Sequence, residues 1–247
     1  MNRGSEKMKE VLANGVTLHY EKIGAGPVLM LLHGNEESHR SFDKVAPALA
    51  EHFTVYGVDS RGQGASSHQG EPVSYEQMTE DIDLFIQGLQ LNDVSIMGHS
   101  DGAILALILG IQKKEYLSHL ILLSINLNTS DLTQETKDLI NDLYEESGHS
   151  PMVELMLHEP NIPHEDLLKV MVPTLVVAGD NDIMYVDEYA KITRLLPVGQ
   201  LYIVPGSNHM NFLIGTERIV PEVIRFLTTD AGEINRKNQS GVFGQNM

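Results

Sequence analysis

The chain has 247 residues, 42% hydrophobic and 21% charged, the composition of a globular protein long enough to bury a sizeable core. Its formal charge of −17, from 34 acidic against 17 basic side chains, repels phosphate backbones and anionic lipid. Neither nucleic acid nor a membrane surface is therefore an expected partner, and cysteine is absent, which excludes disulfides, a thiolate nucleophile and a zinc finger.

The first 20 residues hold no apolar core of the signal-peptide kind, and no run approaches about 18 apolar residues, so a cytoplasmic protein is expected. Met8–Leu12 and Val16–Tyr20 flank Asn14-Gly15, a strong turn dipeptide, and predict an antiparallel hairpin. After Gly24-Ala25-Gly26-Pro27, Val28–Leu32 is a continuous apolar run suited to a strand buried on both faces. It ends at His33-Gly34-Asn35. Residues 39–51 then place Phe42, Val45, Ala46 and Leu49 on one helical face. Thr54–Val58 is the next strand and runs into Asp59-Ser60-Arg61-Gly62-Gln63-Gly64-Ala65-Ser66.

A helix from about Tyr75 to Leu89 carries Met78, Ile82, Phe85, Ile86 and Leu89 at helical spacing. Val94–Met97 is a short buried strand, and Ala103 to about Gly110 a helix of apolar residues. Further strands are expected at Leu120–Leu123, Thr174–Ala178 and Leu201–Val204, with a helix at about Val186–Leu195 and a last one at about Glu217–Leu227. From residue 28 onward, strands alternate with helices, the signature of a mostly parallel sheet. Residues 125–172 break this rhythm, being too long for a simple crossover. Leu132, Leu139, Ile140 and Leu143 suggest one amphipathic helix there, and Val153, Leu155, Met156 and Leu157 a second, forming an insertion on the carboxyl edge of the sheet. Residues 228–247 show no period and read as a tail.

Between the 94–97 strand and its helix lies Gly98-His99-Ser100-Asp101-Gly102. A strand that stops at Gly-x-Ser-x-Gly and turns straight into a helix has the form of a nucleophile elbow, in which a strained turn exposes the serine hydroxyl. The motif alone is weak evidence, and a near miss at Gly148-His149-Ser150-Pro151-Met152 lacks both the final glycine and the preceding strand. A serine hydroxyl needs a base, and the base needs an orienting carboxylate. In an open parallel sheet such groups gather at the carboxyl ends of strands. Past the 174–178 strand come Asp180 and Asp182; Asp182 is the better acid, because Asp180 is placed to bond the turn backbone. Past the 201–204 strand comes His209, the candidate base. The order Ser100, Asp182, His209 is that of nucleophile, acid and base in the α/β-hydrolases. Oxyanion donors are expected at the backbone N–H groups of Asp101 and Asn35.

With these motifs, and with Asp59-x-Arg61-Gly62-x-Gly64-x-Ser66 and Val172-Pro173-Thr174-Leu175, the chain resembles the α/β-hydrolase superfamily over residues 8–227. The resemblance implies one domain with a mostly parallel eight-stranded sheet, helices on both faces and a small cap at about 125–162. It also implies hydrolysis of a small ester or related acyl compound by a Ser100–His209–Asp182 triad, with no metal or organic cofactor. Relatives with the same triad cleave carbon–carbon bonds, perform perhydrolysis or act as small-molecule receptors, so these readings stand beside the esterase one. Many relatives carry an uncharged residue after the nucleophile, where this chain has Asp101. Its carboxylate is suited either to holding a substrate amine or hydroxyl, or to facing the cap and the helix N-terminus. Oligomeric state is not legible.

Overall fold

A computed structural model of the chain describes residues 9–67 and 73–229. The hairpin joins β1 (Lys9–Ala13) to β2 (Val16–Gly24), and Asn14 and Gly15 have φ of 47° and 79°, as a tight primed turn requires. The later strands are β3 (Val28–Leu32), β4 (Thr54–Val58), β5 (Val94–His99), β6 (Leu117–Leu123), β7 (Thr174–Asn181) and β8 (Gly199–Asn208). They form one eight-stranded sheet in the order β1-β2-β4-β3-β5-β6-β7-β8. The β1–β2 and β2–β4 pairs are antiparallel, and every pair from β4 across to β8 is parallel. Every residue of β5 is buried, which suits a central strand covered on both faces.

Successive side chains along β3 feed opposite layers of the core. Met30 and Leu32 pack with α2 (Tyr75–Gly88), α3 (Asp101–Ile111) and α6 (Val186–Leu195). Leu29 and Leu31 pack on the other face with α1 (Val45–Leu49) and α7 (Val220–Thr228). The sheet is thus the middle of three layers, the fold class expected from the alternating pattern.

Two helices are shorter than their apolar spacing predicts. Residues 39–51 split into a 3-10 turn, His39–Phe42, and the short α1. Pro47 has no N–H to donate and its ring excludes a preceding turn of helix, so the helix restarts where proline falls in its first turn. Pro221 has the same effect on α7, which begins at Val220 rather than near Glu217. The expected tail lies outside the described residues from position 230 onward.

Residues 125–172 hold α4 (Gln134–Glu146), α5 (Pro151–His158) and two 3-10 turns. Thr133 caps α4 by accepting the Thr136 N–H, so Leu132 precedes that helix rather than belonging to it. Of α4 only Ile140 is buried, whereas Leu139 and Leu143 are exposed. By contrast α5 is tied to the sheet edge at both ends. Ser150 Oγ donates to Glu36 Oε1 at 3.0 Å and Asn35 Nδ2 to the Met152 carbonyl at 2.9 Å. At the other end the Tyr75 N–H, in the first turn of α2, donates to Glu159 Oε2 at 3.0 Å.

Candidate active site

The elbow is as tight as its sequence demands. Ser100 has φ 52° and ψ −116°, a backbone conformation costing on the order of 1–3 kcal/mol for a residue with a Cβ. A Cβ at Gly98 would overlap the Gly102 carbonyl, and one at Gly102 would overlap the Leu32 carbonyl on β3. Both positions therefore require glycine. Ser100 N–H donates to the Leu123 carbonyl at 2.9 Å, which ties the elbow to the end of β6.

Ser100, Asp182 and His209 are each the first residue past a strand, namely β5, β7 and β8. β7 and β8 are neighbours, and their parallel register pairs Asn181 with Asn208. One step further along each strand brings Asp182 Oδ1 to 2.9 Å from His209 Nδ1. The Asp182 side chain is fully buried and accepts three further donors: Ser124 Oγ at 2.6 Å, Gly179 N–H at 2.9 Å and Ile183 N–H at 2.8 Å. Burial alone would raise its pKa, but His209 and the surrounding donors outweigh that and hold the carboxylate ionised. For His209 the balance runs the other way. Burial, helped by the charge of His99, lowers its pKa against the pull of Asp182, so the imidazole is neutral at neutral pH. Asp180 is exposed and accepts the Gly206 and Ser207 N–H groups at 2.8 and 2.9 Å, pinning the loop that carries His209.

Sequence reasoning missed Ser124. It is the first residue past β6, between the strands of Ser100 and Asp182, with φ 53°. The signal was there: four neighbouring strands, β5 to β8, each deliver a polar side chain one residue beyond their ends.

Asn35 and Asp101, expected to offer backbone donors, are brought together. Asn35 Nδ2 donates to Asp101 Oδ2 at 2.7 Å, and the Asp101 N–H, at the first position of α3, has no acceptor within its helix. The Asp101 carboxylate is only 3% exposed, and Tyr75 Oη donates to its other oxygen at 2.7 Å. Its oxygens are thus committed to Tyr75 and Asn35, which favours the cap-facing alternative over a free anionic subsite. Burial pushes its pKa up to about 6, against both of those hydrogen bonds. Tyr75 was also missed, because nothing local in its sequence distinguishes it from a packing residue.

The remaining motifs are scaffolding. His33 is buried, with Nδ1 2.7 Å from the Gly34 carbonyl and Nε2 accepting the Ser60 N–H at 3.0 Å, so it fixes two loops to each other. Arg61 makes a buried bidentate pair with Asp81 of α2, at 2.7 and 2.6 Å. Ser66 Oγ donates to the Asp59 carbonyl at 2.7 Å. Among the described residues no group of three or more His, Asp or Glu side chains is placed to hold a metal ion, and no helix is long and apolar enough to cross a membrane.

A family model described as the alpha/beta hydrolase fold matches residues 27–148, the stretch from β3 through the elbow to just past α4. The chain belongs to this family. A soluble epoxide hydrolase of a Corynebacterium species is 31% identical over 116 residues, covering 47% of this chain and 41% of that one, so the chain spans less than half that relative's length. A putative esterase/lipase of Haemophilus influenzae is 24% identical over 243 residues, covering 81% of this chain and 83% of that one. Among solved structures, carboxylesterase CesB of Bacillus subtilis superposes with a TM-score of 0.77 at 18% identity, covering 90% of this chain and 91% of that one. At that identity the likeness speaks for the fold. The α/β-hydrolase fold seen here, an eight-stranded and mostly parallel sheet between helical layers, is the one its sequence motifs imply.

Proposed function

We propose that the chain hydrolyses a small-molecule ester or related acyl compound through an acyl-enzyme formed on Ser100. The observation that carries this reading is the His209–Asp182 pair, anchored by Ser124, Gly179 and Ile183, one step past strands that share a sheet with the elbow serine. With Nδ1 bonded to Asp182, neutral His209 leaves Nε2 as the nitrogen that accepts a proton. Ser100 Oγ attacks the substrate carbonyl as its proton passes to that nitrogen, and Asp182 stabilises the resulting imidazolium. The Asn35 and Asp101 N–H groups receive the oxyanion. Collapse expels the leaving group, which takes the proton from His209. Water then repeats the sequence on the acyl-enzyme, releasing the acid and restoring the serine.

The likeness to an epoxide hydrolase points to a different bond, and chemistry argues against it here. Opening an epoxide with a serine oxygen would leave an alkyl ether. Such an ether has no carbonyl for water to attack, so the enzyme would turn over once and stop. An acyl ester has that carbonyl.

Turnover of a p-nitrophenyl ester series by wild type and Ser100→Ala, with fluorophosphonate labelling of Ser100, tests the proposal. Loss of kcat on the order of 10⁶-fold in the variant is expected. Wild-type turnover surviving in Ser100→Ala would sink the mechanism. Labelling without ester turnover would favour a receptor or another triad chemistry.

A further inference from the structure

We propose that Glu37 and His99 form a second carboxylate–imidazole unit, which positions His209 and sets how readily it takes up a proton. The inference rests on His209 being the base of the reaction proposed above.

His99 immediately precedes Ser100, and its side chain is fully buried. Its Nε2 lies 2.9 Å from the carbonyl oxygen of His209. A carbonyl only accepts, so Nε2 carries the hydrogen, and the ring holds the base's own backbone in place. The two imidazole rings lie against each other, with centroids 4.7 Å apart and planes inclined by 38°. The other nitrogen of His99, Nδ1, is buried without a hydrogen-bond partner and faces Glu37 Oε2 at 3.8 Å. A ring nitrogen opposite a carboxylate is attracted to it when that nitrogen bears a proton.

Glu37 is itself fixed. Its Oε2 accepts the Gly34 N–H at 3.1 Å and the Ser41 hydroxyl at 2.7 Å. A Cβ at Gly34 would lie 3.3 Å from the Glu37 carboxyl carbon, from His99 Nδ1 and from Ser100 Cβ. One glycine therefore separates the carboxylate, the ring and the nucleophile. Although burial would raise the Glu37 pKa, the His99 ring, the Ser41 hydroxyl and the Gly34 N–H bring it down to about 2. The carboxylate is a permanent charge.

Several groups face His209. Asp182 approaches from the end of β7, with Ser124, just past β6, and Tyr189 of α6 behind it; His99 comes from β5 and Glu37 from the loop after β3. Asp182 and Glu37 favour the imidazolium, while His99 and burial oppose it. Replacing Glu37 removes a negative charge, so the His209 pKa falls and the acid limb of activity moves to lower pH. Replacing His99 removes a ring that opposes the imidazolium, and the limb moves to higher pH. A merely structural role would give no such opposed pair of shifts.

The test follows fluorophosphonate inactivation and p-nitrophenyl acetate kcat/KM against pH in wild type, Glu37→Gln, Glu37→Asp and His99→Gln. Glu37→Gln should lower the acid-limb midpoint by roughly half a pH unit, and His99→Gln should raise it by a similar amount. Glu37→Asp keeps the charge and should stay near wild type. Melting temperature checks folding, and if one neutral variant fails to fold the other decides alone. A labelled wild type with an unmoved midpoint in the folded neutral variants overturns the inference while leaving the hydrolase reading intact. A wild type that is not labelled removes both.

Discussion

His39 Nδ1 lies 2.7 Å from Asp59 Oδ1, and His209 Nδ1 lies 2.9 Å from Asp182 Oδ1. Both pairs stand at the carboxyl edge of the sheet, and both aspartates are buried. Their titrations nevertheless run in opposite directions. The His39 pKa is raised, chiefly by its bond to Asp59, and the charge of Glu21 adds to this. The His209 pKa is lowered, chiefly by burial, with His99 opposing Asp182. Asp59 also accepts the His39 and Ala65 N–H groups, so its pair closes loops. A carboxylate partner does not by itself make a histidine a base. What else surrounds the ring decides whether the neutral form, the only one able to take a serine proton, is present.

Breaking the two pairs in parallel gives the largest contrast. Asp182→Asn should lower kcat about 10⁴-fold, because the imidazole loses the group that fixes its tautomer. Asp59→Asn should leave kcat within about tenfold of wild type and cost about 2 kcal/mol in urea unfolding, from lost loop hydrogen bonds. A hundredfold fall in kcat for Asp59→Asn would erase the distinction.

The pH dependence sharpens it. Since neutral His209 is the proposed base and its pKa is depressed, kcat/KM should rise with pH through a midpoint below about 6.5, the ordinary histidine value. A midpoint above that value would contradict the assignment. His39 has the opposite sign: its folded pKa exceeds the unfolded one, so its stabilisation is complete below about 6.5 and fades as pH rises through the raised value. The melting-temperature loss in His39→Gln should accordingly be larger at acidic than at alkaline pH, the smallest of these effects.

Much of this frame was legible from residue order. Val28–Leu32 and Thr54–Val58 are strands over the whole of their apolar runs, because buried parallel strands are apolar on both faces. Asn14-Gly15 announced its hairpin through the positive φ that such turns need. The proline effects in α1 and α7 were legible too, but apolar spacing at 39–51 and 217–227 outweighed them. Contacts made through space were not legible. Ser124 reaches Asp182 across 58 positions and Tyr75 reaches Asp101 across 26, and no local pattern encodes such a meeting. Knowing that each strand end delivers one side chain to the same edge would have supplied Ser124. Glu37 and His99 would have remained hidden, since a histidine inside Gly-x-Ser-x-Gly reads as a spacer.

The register of β8 on β7 carries a consequence for synthesis. Ser100 leaves the ribosome more than a hundred residues before His209, and β8 is an edge strand that pairs with β7 alone. Until that pairing closes, the serine of the proposed triad is an ordinary alcohol with no base beside it. A slip of one residue in β8 would turn His209 to the opposite face of the sheet. Under the proposed mechanism, nascent or misregistered chains would therefore lack the reaction, which becomes possible only with the docking of the last strand.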